Sequence, residues 1–298
     1  MTTQEIEISV GIIKENSSYL CIKRNTSPYK GFIEFPGGKK HSNESSTACL
    51  VREIKEELNI SLKKFKYIGF IKHLYGDRLI KINIFKIFKY VGILSSNENR
   101  DIVYYKKNSS HKLLPTHSRI INTLQTPKLI KIINKDNIMS NNLDLSTCMY
   151  LRLRGISYDT YKDALKDKLE CSNFSGNIIV DYPYSESWQT KKYGIHYTSN
   201  NIQEFNPINR DKNIMYSASC HTANEINECN QRLFDFILLS PLLESHNKYN
   251  ILGWSKFSTL CLSSFSPTLA LGGLSSSGRD FTECIKNYGF GIAGIRNI

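Results

Sequence analysis

Three glutamates, Glu53, Glu56 and Glu57, stand within five residues of one another in the stretch "VREIKEELNI", inside a chain whose formal charge is +12. On a helix, at about 100° per residue, they occupy one narrow face, and Ala48, Val51, Ile54 and Leu58 lie roughly opposite. Carboxylates so placed repel one another by about 0.2–0.5 kcal/mol per pair unless a cation sits among them. Mg²⁺ takes carboxylate oxygens, keeps several waters and is commonly shared with substrate phosphates. A phosphate-handling metal site is therefore one chemistry this face supports. The alternative is a solvated acidic face partly neutralised by Arg52 and Lys55.

The surrounding residues decide between the two. Gly38, Glu44, Arg52, then Glu53, Ile54, Glu56, Glu57 and Ile60 resemble the signature of the Nudix hydrolases, G-x5-E-x7-R-E-U-x-E-E-x-G-U, with U aliphatic. One position departs: Asn59 replaces the second glycine. That site follows the helix end, where a left-handed backbone is common and Asn is the usual substitute for Gly. The resemblance implies that Glu53, Glu56 and Glu57 hold divalent ions, Mg²⁺ with Mn²⁺ as the alternative. It also implies that Gly38 gives a backbone ligand or room for the loop, and that Glu44 and Arg52 fix loop and helix.

The implied reaction is hydrolysis of a nucleoside diphosphate linked to another group. In it the ion lowers the pKa of the attacking water and screens phosphate charge, and the basic residues Arg24 and Lys39 help to bind the polyphosphate. Which carboxylate acts as general base is left open; Glu98, in "SSNENRD", is one candidate, because MutT-type members carry a glutamate in a comparable loop, and an exposed loop acid is the alternative. The words "EFPGGK" resemble the MutT-type enzymes, which remove pyrophosphate from oxidised guanine nucleotides, notably 8-oxo-dGTP, and so limit replication errors. His117, in "LLPTHSR", stands where those enzymes use an asparagine to read the base.

Positioning such a site requires strands around one strong helix, and the first third of the chain has that layout. "EIEISVGIIK" and "SYLCIKR" are alternating or apolar strand-like runs. Residues 45–58 form the helix, "FKYIGFIKHLY" and "RLIKINIFKIFKYV" are further strands joined around Gly76-Asp77, and "DIVYYKK" is a short one. "PTHSRIINTLQ" closes the unit as a helix with Pro115 in its first turn. Pro127 and Lys128 mark a linker, so residues 1–128 are expected to form the Nudix domain, an α/β/α sandwich on a mixed sheet, and residues 129–298 a second domain.

Charge follows the same division. Residues 1–128 carry a net +11 and residues 129–298 a net +1. The basic half favours an anionic partner, and charge alone does not separate nucleic acid from a small polyphosphate. With the resemblance, the expected partner is a small nucleotide, with no direct nucleic-acid binding. Eight cysteines lie scattered without a C-x-x-C pair, against a zinc ribbon or a disulfide-stapled fold. No apolar run approaches the roughly 20 residues of a membrane helix, and the N-terminus lacks a signal-peptide layout, so a cytoplasmic protein without a membrane partner is expected.

After Leu129 eight apolar runs recur: "LIKII", "MYLRLRG", "GNIIVDY", "YGIHYTS", "NIMYSASCH", "FDFILLSPL", "PTLALGG" and "GFGIAGIR". Eight such strands suit a parallel (β/α)8 TIM-type barrel, with a doubly wound open sheet as the alternative. Short connections, and nothing after the eighth run, make it a trimmed barrel. Several runs resemble the thiamine phosphate synthase and TenI group. That resemblance implies a phosphate site at Gly272, Gly273, Gly294 and Arg296, where backbone N–H groups meet the anion.

The pyrophosphate ligands of those synthases are depleted here. Arg154 and Asp181 match, but Arg152, Ile156, Val180 and Asn200 or Asn201 stand where other side chains are needed, with Ser219 and Lys248 as further matches. A degenerate barrel that binds a phosphorylated small ligand is expected, and His196 and His221 are read as strand-end structural histidines. A thiamine-pathway enzyme, or a hydrolase of a pyrophosphorylated thiamine precursor, is the second function considered.

Overall fold

The computed structural model describes residues 5–97, 100–106, 109–134, 148–152, 157, 159, 178–182, 193–244, 249–275 and 278–295. The chain forms two compact units, Met1–Leu124 and Gln125–Ile298.

In the first unit β1 (Glu5–Glu15) and β6 (Arg78–Val91) run parallel through nine residue pairs, and among the described residues the other strand-to-strand ladders are antiparallel. The sheet order is β3-β2-β1-β6-β5, with β2 at Ser18–Lys23, β3 at Ile33–Glu34 and β5 at Ser61–Tyr75. β4 (Gly37–Lys39) pairs with β1, and β7 (Ile102–Tyr105) with β2. Because strand side chains alternate between faces, Ile12 and Ile13 enter different cores. Val10, Ile12, Ile82 and Ile84 pack with Ile120 and Ile121 of α2 (Pro115–Gln125). Ile13, Leu20, Ile22, Phe85 and Ile87 pack with Leu50, Ile54 and Leu58 of α1 (Ser46–Leu58). A helix therefore covers each face, and the expected α/β/α sandwich on a mixed sheet results.

Two features were not expected. The short strands β3 and β4 flank the "EFPGGK" turn, and β5 begins at Ser61, four residues before the run read as a strand. Register shifts between Leu62 and Phe65 let this lysine-rich start join the ladder without keeping strict alternation.

In the second unit all eight expected runs are strands: β8 (Leu129–Ile133), β9 (Cys148–Leu151), β10 (Ile178–Asp181), β11 (Tyr193–Tyr197), β12 (Met215–Cys220), β13 (Phe236–Leu239), β14 (Thr268–Leu271) and β15 (Gly291–Gly294). They close into a parallel barrel in the order β10-β11-β12-β13-β14-β15-β8-β9. Ala218, Cys220, Ile237, Leu239, Ala270 and Ile292 point outward into a core with α3 (Ala223–Arg232), α4 (Gly253–Ser263) and α5 (Gly278–Lys286). Between β11 and β12 the connection holds two 3-10 turns, Ile202–Glu204 and Pro207–Asn209, in place of a full crossover helix, so the barrel is trimmed there.

Candidate active site

The helix bearing the three glutamates starts at Ser45, whose hydroxyl accepts from the Ala48 N–H at 3.1 Å. It ends at Asn59 in the left-handed region, φ 56°, with the Asn59 N–H returned to the Lys55 carbonyl at 3.1 Å. Asn59 also accepts from Lys55 Nζ through its side chain at 2.9 Å, so the residue that departs from the family pattern caps the helix. Leu58 O and Glu57 O, otherwise without helical donors, accept from the N–H groups of Ser95 and Asn97. That loop thus lies across the helix end, and the Arg100 N–H donates to Ser96 Oγ at 3.1 Å.

The helix faces differ from expectation at three places. Ala48 and Val51 are exposed, and Glu57 is only 6% exposed, on the buried arc with Cys49, Leu50, Ile54 and Leu58. Neutralising donors explain the buried carboxylate. Glu57 Oε2 accepts from the Gly37 N–H at 2.7 Å, and Oε1 is ion-paired with Arg100. Burial still pushes the Glu57 carboxyl up to about 7, against the pull of Arg100 and the Gly37 N–H. Gly37 itself has φ 140°, and a Cβ there would strike the β1 backbone at Ser9. A Cβ on Gly38 would strike the Glu53 carboxylate. Gly37 lets β4 lie close on β1, and Gly38 lets it lie against the acidic helix.

Arg52 organises the exposed side of the cluster. Its guanidinium donates to Glu44 twice, to Glu53 at 2.8 Å, to Glu56 at 3.0 Å and to the Lys39 carbonyl at 3.2 Å. Glu44 is held well below the usual carboxylate range, at about 2, by Arg52 first and by the His41 N–H second. The Gly38 carbonyl accepts from Cys49 Sγ at 3.4 Å.

Glu34 and Arg100 were not singled out by sequence. Arg100 donates to Glu34 at 3.2 Å as well as pairing with Glu57, and Arg24 donates to the other Glu34 oxygen at 2.6 Å. The only sequence signal was the place of Glu34 inside "EFPGGK".

Glu53, Glu57, Gly38, Lys39, Arg24, Glu34 and Arg100 line one cavity of about 620 Å³. Its walls also include Tyr29, Tyr75, Ile80, Ile82 and His117. His117 is buried and stacks on Phe35 at 5.5 Å with an interplanar angle of 11°. Its Nδ1 accepts from the Phe35 N–H at 2.8 Å, which fixes a neutral ring with the proton on Nε2. Burial, reinforced by Arg24, lowers the imidazole to about 3. Arg24 Nε is buried without a hydrogen-bond partner among the described residues.

Among the described residues no three His, Cys, Asp or Glu side chains converge as a ready metal-ligand set. Arg52 draws Glu53 and Glu56 to itself and Arg100 draws Glu57. The donors are nonetheless carboxylate oxygens beside backbone carbonyls, the set that suits a hard divalent cation. Glu98 lies outside the described residues.

In the barrel, Gly272 and Gly273 follow β14 with φ of 111° and 71°. A Cβ on Gly273 would come within 2.9 Å of Glu244 N, so close backbone approach accounts for that glycine. Gly294 ends β15; Arg296, Arg154, Ile156 and Lys248 lie outside the described residues. His196 is buried inside the barrel, within hydrogen-bond reach of Ser217 at 2.9 Å and Ser219 at 2.8 Å, and Asp181 accepts from the Tyr150 hydroxyl. His221 Nδ1 lies 2.7 Å from the Ser240 carbonyl, and the ring stacks on Tyr249 at 3.9 Å.

These features match a known family. Residues 6–118 fit the NUDIX domain. The 8-oxo-dGTP diphosphatase of Proteus vulgaris is 29% identical over 100 residues, 33% of this chain and 89% of that protein. The CTP pyrophosphohydrolase of Escherichia coli (strain K12) is 30% identical over 100 residues, 33% of this chain and 74% of that protein. A solved structure of thiamine phosphate pyrophosphorylase from Pyrococcus furiosus is 16% identical, with a TM-score of 0.44 over 56% of this chain and 85% of that one. The chain belongs to the Nudix family, and its first unit is a hydrolase of phosphoanhydride bonds.

Proposed function

We propose that this chain is a Mg²⁺-dependent nucleoside triphosphate pyrophosphohydrolase that converts 8-oxo-dGTP to 8-oxo-dGMP and pyrophosphate. It thereby cleans the nucleotide pool and limits replication errors. One observation carries the proposal: Glu53 and Glu57 open onto the same cavity as Arg24, Lys39, Tyr75 and His117. A volume of about 620 Å³ falls within the range of small-molecule sites.

Glu53, Glu56 and Glu57 would hold the divalent ion, which supplies charge screening for the phosphates and activation of water. Arg24 and Lys39 bind the polyphosphate, and the unpartnered Arg24 Nε favours an incoming anion. Arg52 and Glu44 fix the acidic helix against its loop, and Glu98 accepts the proton of the attacking water. His117 and the aromatic walls receive the base. Residues 1–128 act as the hydrolase domain, and residues 129–298 as a degenerate barrel that binds a phosphorylated small ligand at Gly272, Gly273 and Arg296.

The test is product formation by the full chain, pyrophosphate from 8-oxo-dGTP, dGTP and CTP and AMP with ribose 5-phosphate from ADP-ribose, with Mg²⁺ and with chelator. Preference for 8-oxo-dGTP, dependence on the ion and loss of turnover in a folded Glu57→Gln variant are expected. Full activity in that variant would sink the site assignment, and a preference for CTP would move the substrate while leaving the chemistry.

A further inference from the structure

Glu57 is a buried carboxylate with both oxygens already engaged, one by the Gly37 N–H and one by Arg100. Removing a lone cation from a buried carboxylate is strongly unfavourable, so a cation must occupy this place in every state in which Glu57 is ionised. Arg100 is permanently charged and has five donors in a planar fork. Only part of that fork faces Glu57, and another nitrogen is tied to Glu34 at 3.2 Å. Glu34 is in turn held by Arg24 at 2.6 Å. All four residues line the one cavity.

We propose that Arg100 is a placeholder cation for the hydrolase site: it neutralises Glu57 until a divalent ion takes that carboxylate, and Glu34 then keeps the released guanidinium in the cavity for a substrate phosphate. The proposal rests on Glu57 being a metal-holding residue. A divalent ion competes with the guanidinium for the same carboxylate oxygen. Once freed, the fork matches a phosphate through two parallel hydrogen bonds. Ion and polyphosphate then bind cooperatively, because occupation by the ion releases the group that the anion uses, and linkage makes the effect reciprocal. The backbone anchor of Arg100 at Ser96, on the loop that crosses the end of α1, keeps the guanidinium within reach of both carboxylates.

Mn²⁺ binding to the intact chain without nucleotide, followed by titration calorimetry, tests this directly. Arg100→Gln removes the competing charge, and the variant should bind Mn²⁺ about tenfold more tightly, the scale of one charge-assisted hydrogen bond. In steady-state assays the same variant should show a KM for the nucleoside triphosphate raised by about tenfold, with kcat changed less. Arg100→Lys keeps the charge and loses the fork; it should bind Mn²⁺ like the native chain yet retain the raised KM, and it serves if the glutamine variant does not fold. Mn²⁺ affinity that is unchanged or weaker in Arg100→Gln overturns the placeholder role, as does a native KM in Arg100→Lys. Calorimetry does not depend on which nucleotide is cleaved, so an error in the substrate and an error about Arg100 give different results. A native chain that binds no Mn²⁺ overturns both.

Discussion

Arg52 grips Glu44 through two nitrogens, Nη2 to Oε1 at 2.6 Å and Nε to Oε2 at 3.2 Å. The same guanidinium then spans Glu53 and Glu56, so one residue ties the loop before the helix to two of the helix acids, one part-buried and one exposed. A lysine has one nitrogen and cannot make this set of contacts. Arg52→Lys is expected to lower hydrolase activity by about 10- to 100-fold through misplacement of Glu53 and Glu56, the effect expected if these are the proposed metal ligands and lose the group that orients them. Steady-state assays with saturating Mg²⁺ check this, and the CD spectrum should remain native.

His117 gives a pH dependence whose sign is fixed by its burial. Its folded value, about 3, lies below the ordinary 6.5, so the unfolded chain binds the extra proton first. The contribution of the neutral ring is fully present above pH 6.5 and is lost as pH falls from there towards 3. Protonation at Nδ1 would also break the bond from the Phe35 N–H. Within that window the difference in unfolding free energy between the native chain and His117→Asn should change by up to about 1.4 kcal/mol per pH unit. Urea unfolding followed by far-UV CD at stepped pH measures it, and a parallel pair of curves would contradict it.

In the second unit Arg210 holds Asp235 with two hydrogen bonds of 2.8 and 2.7 Å, and the Asp235 side chain is only 3% exposed. Arg210→Met removes both of these charge-assisted bonds from the buried carboxylate, while the Tyr216 N–H still donates to it at 2.8 Å. The barrel unit should lose about 3 kcal/mol, and the double variant Arg210→Met with Asp235→Asn should recover much of it. Both tryptophans, Trp188 and Trp254, fall in this unit, so denaturant curves read by tryptophan fluorescence report on it alone.

The elements were legible because their signals are local. Apolar runs mark β8 to β15 to within a few residues, and Asn59 takes the left-handed conformation that its place after the helix demanded. The site was legible only as far as one helix carries it. Glu53 and Glu57 follow from spacing, but a helix considered alone puts Glu57 on the exposed side, since the groups that bury it come from elsewhere. Arg100 lies 43 residues from Glu57 along the chain and 66 from Glu34. No periodicity spans such distances. The closing of the barrel likewise depends on β15 finding β8, which the runs allowed without requiring, since an open sheet uses the same strands.

The arginine bridges also set an electrostatic sum. Among the described residues Glu34, Glu44, Glu53, Glu56 and Glu57 are joined in ion pairs to three guanidinium groups, those of Arg24, Arg52 and Arg100. Fully ionised, the assembly carries a formal charge of −2, equal and opposite to that of a single Mg²⁺. One divalent ion would bring this set of side chains to neutrality, and a second would leave it a net cation, to be offset by the phosphates of a substrate.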